Sequence, residues 1–314
     1  MVLPAVAAAV AMALSPGVSA AEPEAAEGKS LVVMGDSYTA NGTLETALGD
    51  LRPGRKPDVQ SDCPHAPTSW PTQLGQSLGL TASGSSAAGD VVDVSCRGGA
   101  LVTGPGVTVV HQTNRAVARG AFGPRTKAVL IQAGINDAWG DNDLRLRQTY
   151  ADCVLDMVRG CGPEAAAQGR AADYRGLDGP RYAERLRAVV VYLHYIAPQA
   201  RIVLVGYPET APTGAQQWCV NIGGASAVQP RAGAMVQLWD RMDAAQRDAA
   251  RILGVEFFDT RAATAGHGLC SPQPWIAGYL DPRSDWRGEP LHPIQRSDAA
   301  IAAGLRQLLT GGAR

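Results

Sequence analysis

The sequence predicts an α/β fold in which a five-stranded parallel sheet is covered by helices on both faces. Short, continuously apolar runs alternate with longer segments whose apolar residues recur at helical spacing. Runs with no alternating polar positions belong to strands buried on both faces, the situation of a parallel sheet. Size agrees: 314 residues with 46 % hydrophobic content can bury a large core. Charged residues make up 18 % and the net charge is −1, against about 25 % charged in an average domain. A surface of that kind is not built to neutralise phosphates, so no nucleic-acid partner is expected. The apolar content also excludes wholesale disorder.

The elements follow in order. Residues 31–34 form an apolar strand that stops at Gly35. Residues 70–78 read as a helix, with Ser69 placed to cap it and Pro71 in its first turn. Residues 91–94 and 128–132 give the second and third strands. Residues 182–196 have helical spacing and end before Pro198. A fourth strand at 202–205, a long helix at 235–252, a fifth strand at 255–258 and a closing helix at 299–309 complete the pattern. His194 lies in an apolar helix and is expected in the core; Gln112 falls in a loop or helix start and carries no assigned role. In sheets of this type the active site lies beyond the carboxyl ends of the strands.

The N-terminus reads as a signal for export. Residues 5–14 are apolar, and Pro16 and Val18-Ser19-Ala20 follow as a small-x-small cleavage pattern, although the first positive side chain is Lys29. About ten apolar residues are too few to cross ~30 Å of hydrocarbon. The expectation is a signal peptide over 1–20, a disordered tail over 21–28 and one domain over 29–314. The protein is then secreted or in the cell envelope, monomeric and without a stable membrane anchor. The six cysteines contain no Cys-x-x-Cys pair, which removes zinc-ribbon and thioredoxin-like readings. An even count in an exported chain implies disulfides. Six cysteines allow fifteen pairings, and the spacing suggests three consecutive loops: Cys63–Cys96, Cys153–Cys161 and Cys219–Cys270.

Chemistry-bearing residues collect where strands end. Gly35-Asp36-Ser37 follows the first strand, Cys96-Arg97-Gly98-Gly99 the second and Gly134-Ile135-Asn136-Asp137 the third, while Leu291-His292-Pro293 stands ahead of the closing helix. A serine hydroxyl needs a neighbouring base to become a nucleophile, and an imidazole titrates in the range that suits that task. Backbone N–H groups and an uncharged amide can stabilise the oxyanion formed when an acyl carbonyl is attacked.

In order and placement these four blocks resemble those of the SGNH (GDSL) hydrolases, serine esterases and lipases on a flavodoxin-like three-layer sandwich. The resemblance runs over about residues 29–309 and is nearest to secreted bacterial members with three consecutive disulfides. It implies Ser37 as nucleophile, His292 as base, and an oxyanion hole from the Ser37 N–H, Gly98 N–H and Asn136 amide. Gly99 competes with Gly98 for the glycine role. Where many members carry Asp three residues before the histidine, this chain has Glu289. The orienting group at that position is either its carboxylate or a main-chain carbonyl, with Asp285 in reserve. No cofactor or metal is implied, and His65, His111 and His267 have no metal-ligand spacing. The substrate implied is a small-molecule or lipid ester; a carbohydrate ester, acyl transfer or a silent binding protein on the same scaffold are the alternatives. Trp139 either lines the acyl pocket or packs in the core. Asn41-Gly42-Thr43 matches a glycosylation sequon but adjoins Ser37.

Overall fold

Alternate residues of each central strand point into two different cores, and this places the helices. The computed structural model describes residues 27–45, 63–81, 89–103 and 107–311. The cleavage pattern expected within 1–20 lies outside them. Of the tail expected to be disordered over 21–28, Glu27 and Gly28 are described and held: the Glu27 carbonyl accepts from Arg125 N at 2.8 Å, and Gly28 is buried.

Five strands form the sheet: β1 (Leu31–Gly35), β2 (Val91–Asp93), β3 (Ala128–Gln132), β4 (Arg201–Val205) and, late in the chain, β7 (Glu256–Phe258). Their order is β2-β1-β3-β4-β7 and every pairing is parallel. This is the flavodoxin-like order, with its switch point between β1 and β3. Leu31, Val33, Leu130, Val203 and Val205 face a core closed by helices α2 (Trp70–Ser77) and α8 (Gln295–Thr310), through Trp70, Leu74, Ile301 and Leu305. Val32, Met34, Val129, Ile131, Ile202 and Leu204 face the larger core. Helices α3 (Val109–Ala118), α5 (Gly179–Ile196) and α6 (Gly233–Leu253) close it. The period of two along each strand therefore produces both helix layers.

Three short helices complete the set. Helix α1 (Ser37–Ala40) follows β1; α4 (Leu146–Thr149) runs on into a π-turn over Tyr150–Val154; α7 (Thr260–Ala263) follows β7. A hairpin, β5 (Trp218–Ile222) and β6 (Ala225–Gln229), stands apart from the main sheet. The apolar-run reading does not find it, because Ala225, Ser226, Ala227 and Val228 are exposed. Its signal is Gly223-Gly224: both have positive φ, 57° and 87°, as a two-residue hairpin turn requires. Helix α3 is likewise absent from that reading; it is polar but starts at a good cap, Thr108, whose side chain accepts from His111 N. His194 is exposed, on the solvent face of α5 beside Val191, Tyr192 and Tyr195, and is not a core residue. Among the described residues no helix is long and apolar enough to cross a membrane.

Three disulfides join Cys63 to Cys96, Cys153 to Cys161 and Cys219 to Cys270. The first fixes the loop after β2, and the third ties β5 to the segment after α7. Each contributes about 2–4 kcal/mol in the chain-entropy account. With a shift of about 2–4 °C per kcal/mol for chains of roughly this size, reduction is expected to lower Tm by more than about 10 °C. A melt of protein whose free thiols have been counted checks this; an unchanged Tm after full reduction contradicts it.

Candidate active site

The predicted residues converge beyond the carboxyl ends of β1, β2 and β3. Ser37 is the first residue of α1, directly after β1. Its N–H is one of the donors that a helix start leaves without an intrahelical partner. Asp36 caps this turn, its carboxylate accepting from Tyr38 N at 2.8 Å and from the Tyr207 hydroxyl at 2.5 Å. Burial is the largest cause pushing the Asp36 carboxyl up to about 7, opposed by those hydrogen bonds.

His292 Nε2 lies 2.7 Å from Ser37 Oγ, within reach for proton transfer. Its other nitrogen, Nδ1, is 3.0 Å from the Pro290 carbonyl and 3.4 Å from Glu289 Oε1. The nearest acceptor is thus one residue beyond the expected position. The Glu289 carbonyl is already engaged, accepting from His292 N at 3.1 Å. The Glu289 carboxylate is ion-paired with Arg97. Asp285 accepts from Arg287 N and makes no contact with the imidazole. Burial, then the charge of Arg97, push the His292 imidazole down to about 3, against the hydrogen bond it donates to the Pro290 carbonyl, which raises it. A base with that bias stays neutral as pH falls below 6.5.

The histidine loop is pinned from both sides. Ala277 N donates to the His292 carbonyl and Leu291 N to the Ala277 carbonyl, both at 2.8 Å. The Tyr38 hydroxyl donates to the Leu291 carbonyl at 2.6 Å, with the Tyr38 ring 4.6 Å from the imidazole. Asn41 Nδ2 donates to the Pro293 carbonyl at 2.7 Å and to Asp298 at 2.6 Å. Asn41 is 4 % exposed, so the sequon asparagine is occupied inside the fold.

The glycine ambiguity has a geometric answer. Gly99 N–H is used in a turn, donating to the Cys96 carbonyl at 2.9 Å. A Cβ on Gly99 would come within 2.5 Å of the Gly35 carbonyl, so glycine there reflects close packing on the end of β1. Gly98 has φ +69°, and no acceptor for its N–H is found among the described residues. Asn136 Nδ2 donates to the Gly99 carbonyl at 2.9 Å, which fixes the amide and leaves its second N–H to act as a donor. The next residue, Asp137, is structural: its carboxylate accepts from the N–H groups of Leu101, Val102 and Thr103 at 2.7–3.0 Å. Trp139 is core, with its Nε1 on the Gly134 carbonyl and its ring stacked on Tyr182. His65 contacts the Ser95 carbonyl and His267 stacks on Trp275.

Two glutamines, neither with a sequence motif, hold this end of the sheet. Gln112 on α3 pairs with Gly35 in both directions: Gly35 N donates to Oε1 at 2.7 Å and Nε2 donates to Gly35 O at 2.8 Å. Gln132, at the end of β3, donates to the Gly206 carbonyl and accepts from Thr39 and Trp70 Nε1. Both are fully buried.

Comparison with known proteins fits this geometry. Residues 33–297 match the GDSL-like Lipase/Acylhydrolase family. "Lipase 1" of Streptomyces coelicolor is 25 % identical over 302 residues, which span 94 % of this chain and 90 % of that one. Among solved structures, an extracellular lipase from Streptomyces rimosus superposes with a TM-score of 0.56 at 20 % identity, covering 91 % of this chain and 100 % of that one. A phospholipase A1 from Streptomyces albidoflavus gives 0.56 and 20 %, covering 92 % and 100 %. At that identity the two structures establish the shared fold.

Gln112→Ala is expected to strand the buried Gly35 N–H, at a cost of about 1–3 kcal/mol beyond the cavity it leaves. Tm should fall by several degrees, and kcat/KM on an activated ester should fall further than at a surface control such as Arg306→Ala. A drop in Tm without any loss of kcat/KM in the folded variant contradicts the positioning role.

Proposed function

The chain belongs to the GDSL-like lipase/acylhydrolase family and is a carboxylic ester hydrolase; on that premise we propose that it is an exported serine esterase or lipase working through an acyl-enzyme on Ser37. The observation that carries this reading is the 2.7 Å contact between Ser37 Oγ and His292 Nε2, with Nδ1 backed by a carbonyl. Ser37 Oγ attacks the acyl carbon while His292 Nε2 takes the hydroxyl proton. The tetrahedral oxyanion is stabilised by the N–H groups of Ser37 and Gly98 and by the free N–H of the Asn136 amide. Collapse expels the alcohol, which takes the proton from His292. Water then attacks the acyl-enzyme with His292 again as base, releasing the carboxylic acid and restoring Ser37.

Export is supported by the three disulfides, which persist in oxidising compartments. For the substrate, the lipase and phospholipase names of the relatives favour acyl esters of lipid type, from short to long chains. No step needs a metal or cofactor beyond the side chains named.

Hydrolysis of p-nitrophenyl esters from acetate to palmitate tests the reading. Ser37→Ala is expected to lose about 10⁴-fold or more in kcat/KM, and the chain-length optimum separates esterase from lipase. Asn136→Ala should lower kcat by about 10²–10³-fold, the usual effect of losing one oxyanion donor. Activity that survives in Ser37→Ala would falsify the nucleophile assignment.

A further inference from the structure

We propose that Arg97 is a positioning residue that occupies the Glu289 carboxylate, so that the Pro290 carbonyl and not that carboxylate takes the Nδ1–H and orients the imidazole. The proposal rests on the reading of Ser37 and His292 as nucleophile and base. Arg97 precedes Gly98 on the loop after β2, and its guanidinium ion-pairs with Glu289; the two side chains are 19 % and 6 % exposed. The pair therefore joins the loop that presents the Gly98 N–H to the loop that carries the base.

Two acceptors compete for Nδ1–H. The Pro290 carbonyl is at 3.0 Å and Glu289 Oε1 at 3.4 Å. A carboxylate that close normally captures an imidazole N–H, because a charged acceptor makes the stronger bond. Here the carboxylate has a cation of its own. Without Arg97, Glu289 would be a buried charge with no counter-ion, a costly state, and the imidazolium would be the nearest cation able to neutralise it.

Other charged groups around the imidazole do not supply this control. On α1, Asp36 is bonded to Tyr207 and Tyr38 N, and Tyr38 donates to the Leu291 carbonyl. On α8, Asp298 is bonded to Asn41. The segment Trp275, Ile276, Ala277 that packs against the loop carries no charge. Arg97 and Glu289 are thus the ionised pair next to the base.

Loss of Arg97 converts the arrangement to Ser-His-Glu, in which the carboxylate favours imidazolium. For a base active when neutral, a raised imidazole pKa moves the acid limb of kcat/KM to higher pH. The experiment compares the purified wild type with Arg97→Gln, Arg97→Met, Arg97→Lys and the double variant Arg97→Gln/Glu289→Gln. The acid limb is followed with p-nitrophenyl butyrate, read at the isosbestic wavelength of the released p-nitrophenol and its phenolate. Arg97→Gln and Arg97→Met are each expected to raise the limb by about one pH unit or more, about tenfold lower kcat/KM at a pH on that limb. Arg97→Lys, which keeps the charge, should restore it towards the wild type, and so should the double variant, which removes the freed carboxylate. An NMR titration of the His292 ring in the Ser37→Ala background, with and without Arg97→Gln, should show the same upward shift. That readout needs no turnover, so a failed esterase reading and a failed Arg97 assignment give separate results. Coincident limbs and coincident titrations for wild type and Arg97→Gln, or an equal shift in the single and double variants, overturn the proposal.

Discussion

A parallel sheet ends in a row of backbone groups that have lost their ladder partners, and the catalytic end of this protein depends on how β1 is finished. Strand β2 stops at Asp93 while β1 runs on to Gly35. From there the outer side of β1 is paired by single groups: Val94 N on the Val33 carbonyl, Cys96 N on the Gly35 carbonyl, and the Gln112 amide on both groups of Gly35. Buried N–H and C=O groups must be satisfied. By satisfying them with a side chain from α3, the fold lets the chain after β2 leave the sheet and form the glycine loop. The same bonds lock the residue two before Ser37. Stability of the sheet edge and placement of Ser37 are therefore one constraint.

The charge arrangement around the dyad follows from burial. Carboxyls at Asp36 and Asp298 are raised by desolvation, in spite of the hydrogen bonds they accept. The imidazole is pushed the other way, because burial opposes its charged form. A neutral acceptor such as the Pro290 carbonyl can hold Nδ1–H without creating a further buried charge. Burial, with Nδ1–H on that acceptor, leaves the imidazole neutral over a wide acid range. The sign for stability is the same as for activity. A histidine held below its unfolded value of about 6.5 contributes stability above that pH and loses it as pH falls towards the folded value.

Much of this was legible in the sequence, for identifiable reasons. The central strands β1, β3 and β4 are short, mainly apolar runs buried on both faces, and composition alone marks them. The four blocks at Ser37, Gly98, Asn136 and His292 are local and lie where a parallel sheet puts its site. Gly98 and Gly99 are not separable from sequence, because the difference lies in which N–H turns back onto Cys96. Gln112 and Gln132 were opaque, since a buried glutamine differs from an exposed one only in contacts 77 and 74 residues away. His194 misleads for the reverse reason: an apolar helix can expose apolar neighbours, here Val191 and Tyr195. The acceptor nearest His292 Nδ1 is the Pro290 carbonyl, while the Glu289 carboxylate is ion-paired with Arg97, a partner distant in sequence that no local pattern announces.

The segments flanking the dyad both leave the ordinary backbone regions. Leu291 has φ +70° and Asn41 has φ +39°, and such conformations cost about 1–3 kcal/mol unless the surroundings impose them. Each is imposed by the other's element. Tyr38, on the helix that begins with Ser37, takes the Leu291 carbonyl; Asn41, at the end of that helix, takes the Pro293 carbonyl. The two carbonyls bracket His292. A left-handed Leu291 turns the Pro290 carbonyl back towards Nδ1 while its own carbonyl points at Tyr38. An asparagine side chain at 41 can reach Pro293 and Asp298 together, and asparagine tolerates positive φ better than most residues. Helix α1 and the histidine loop are thus tied together by two bonds, Tyr38 to the Leu291 carbonyl and Asn41 to the Pro293 carbonyl. The 2.7 Å contact between Ser37 and His292 lies between those two tethers, so the pair is held by the elements on either side of it as well as by its own bond.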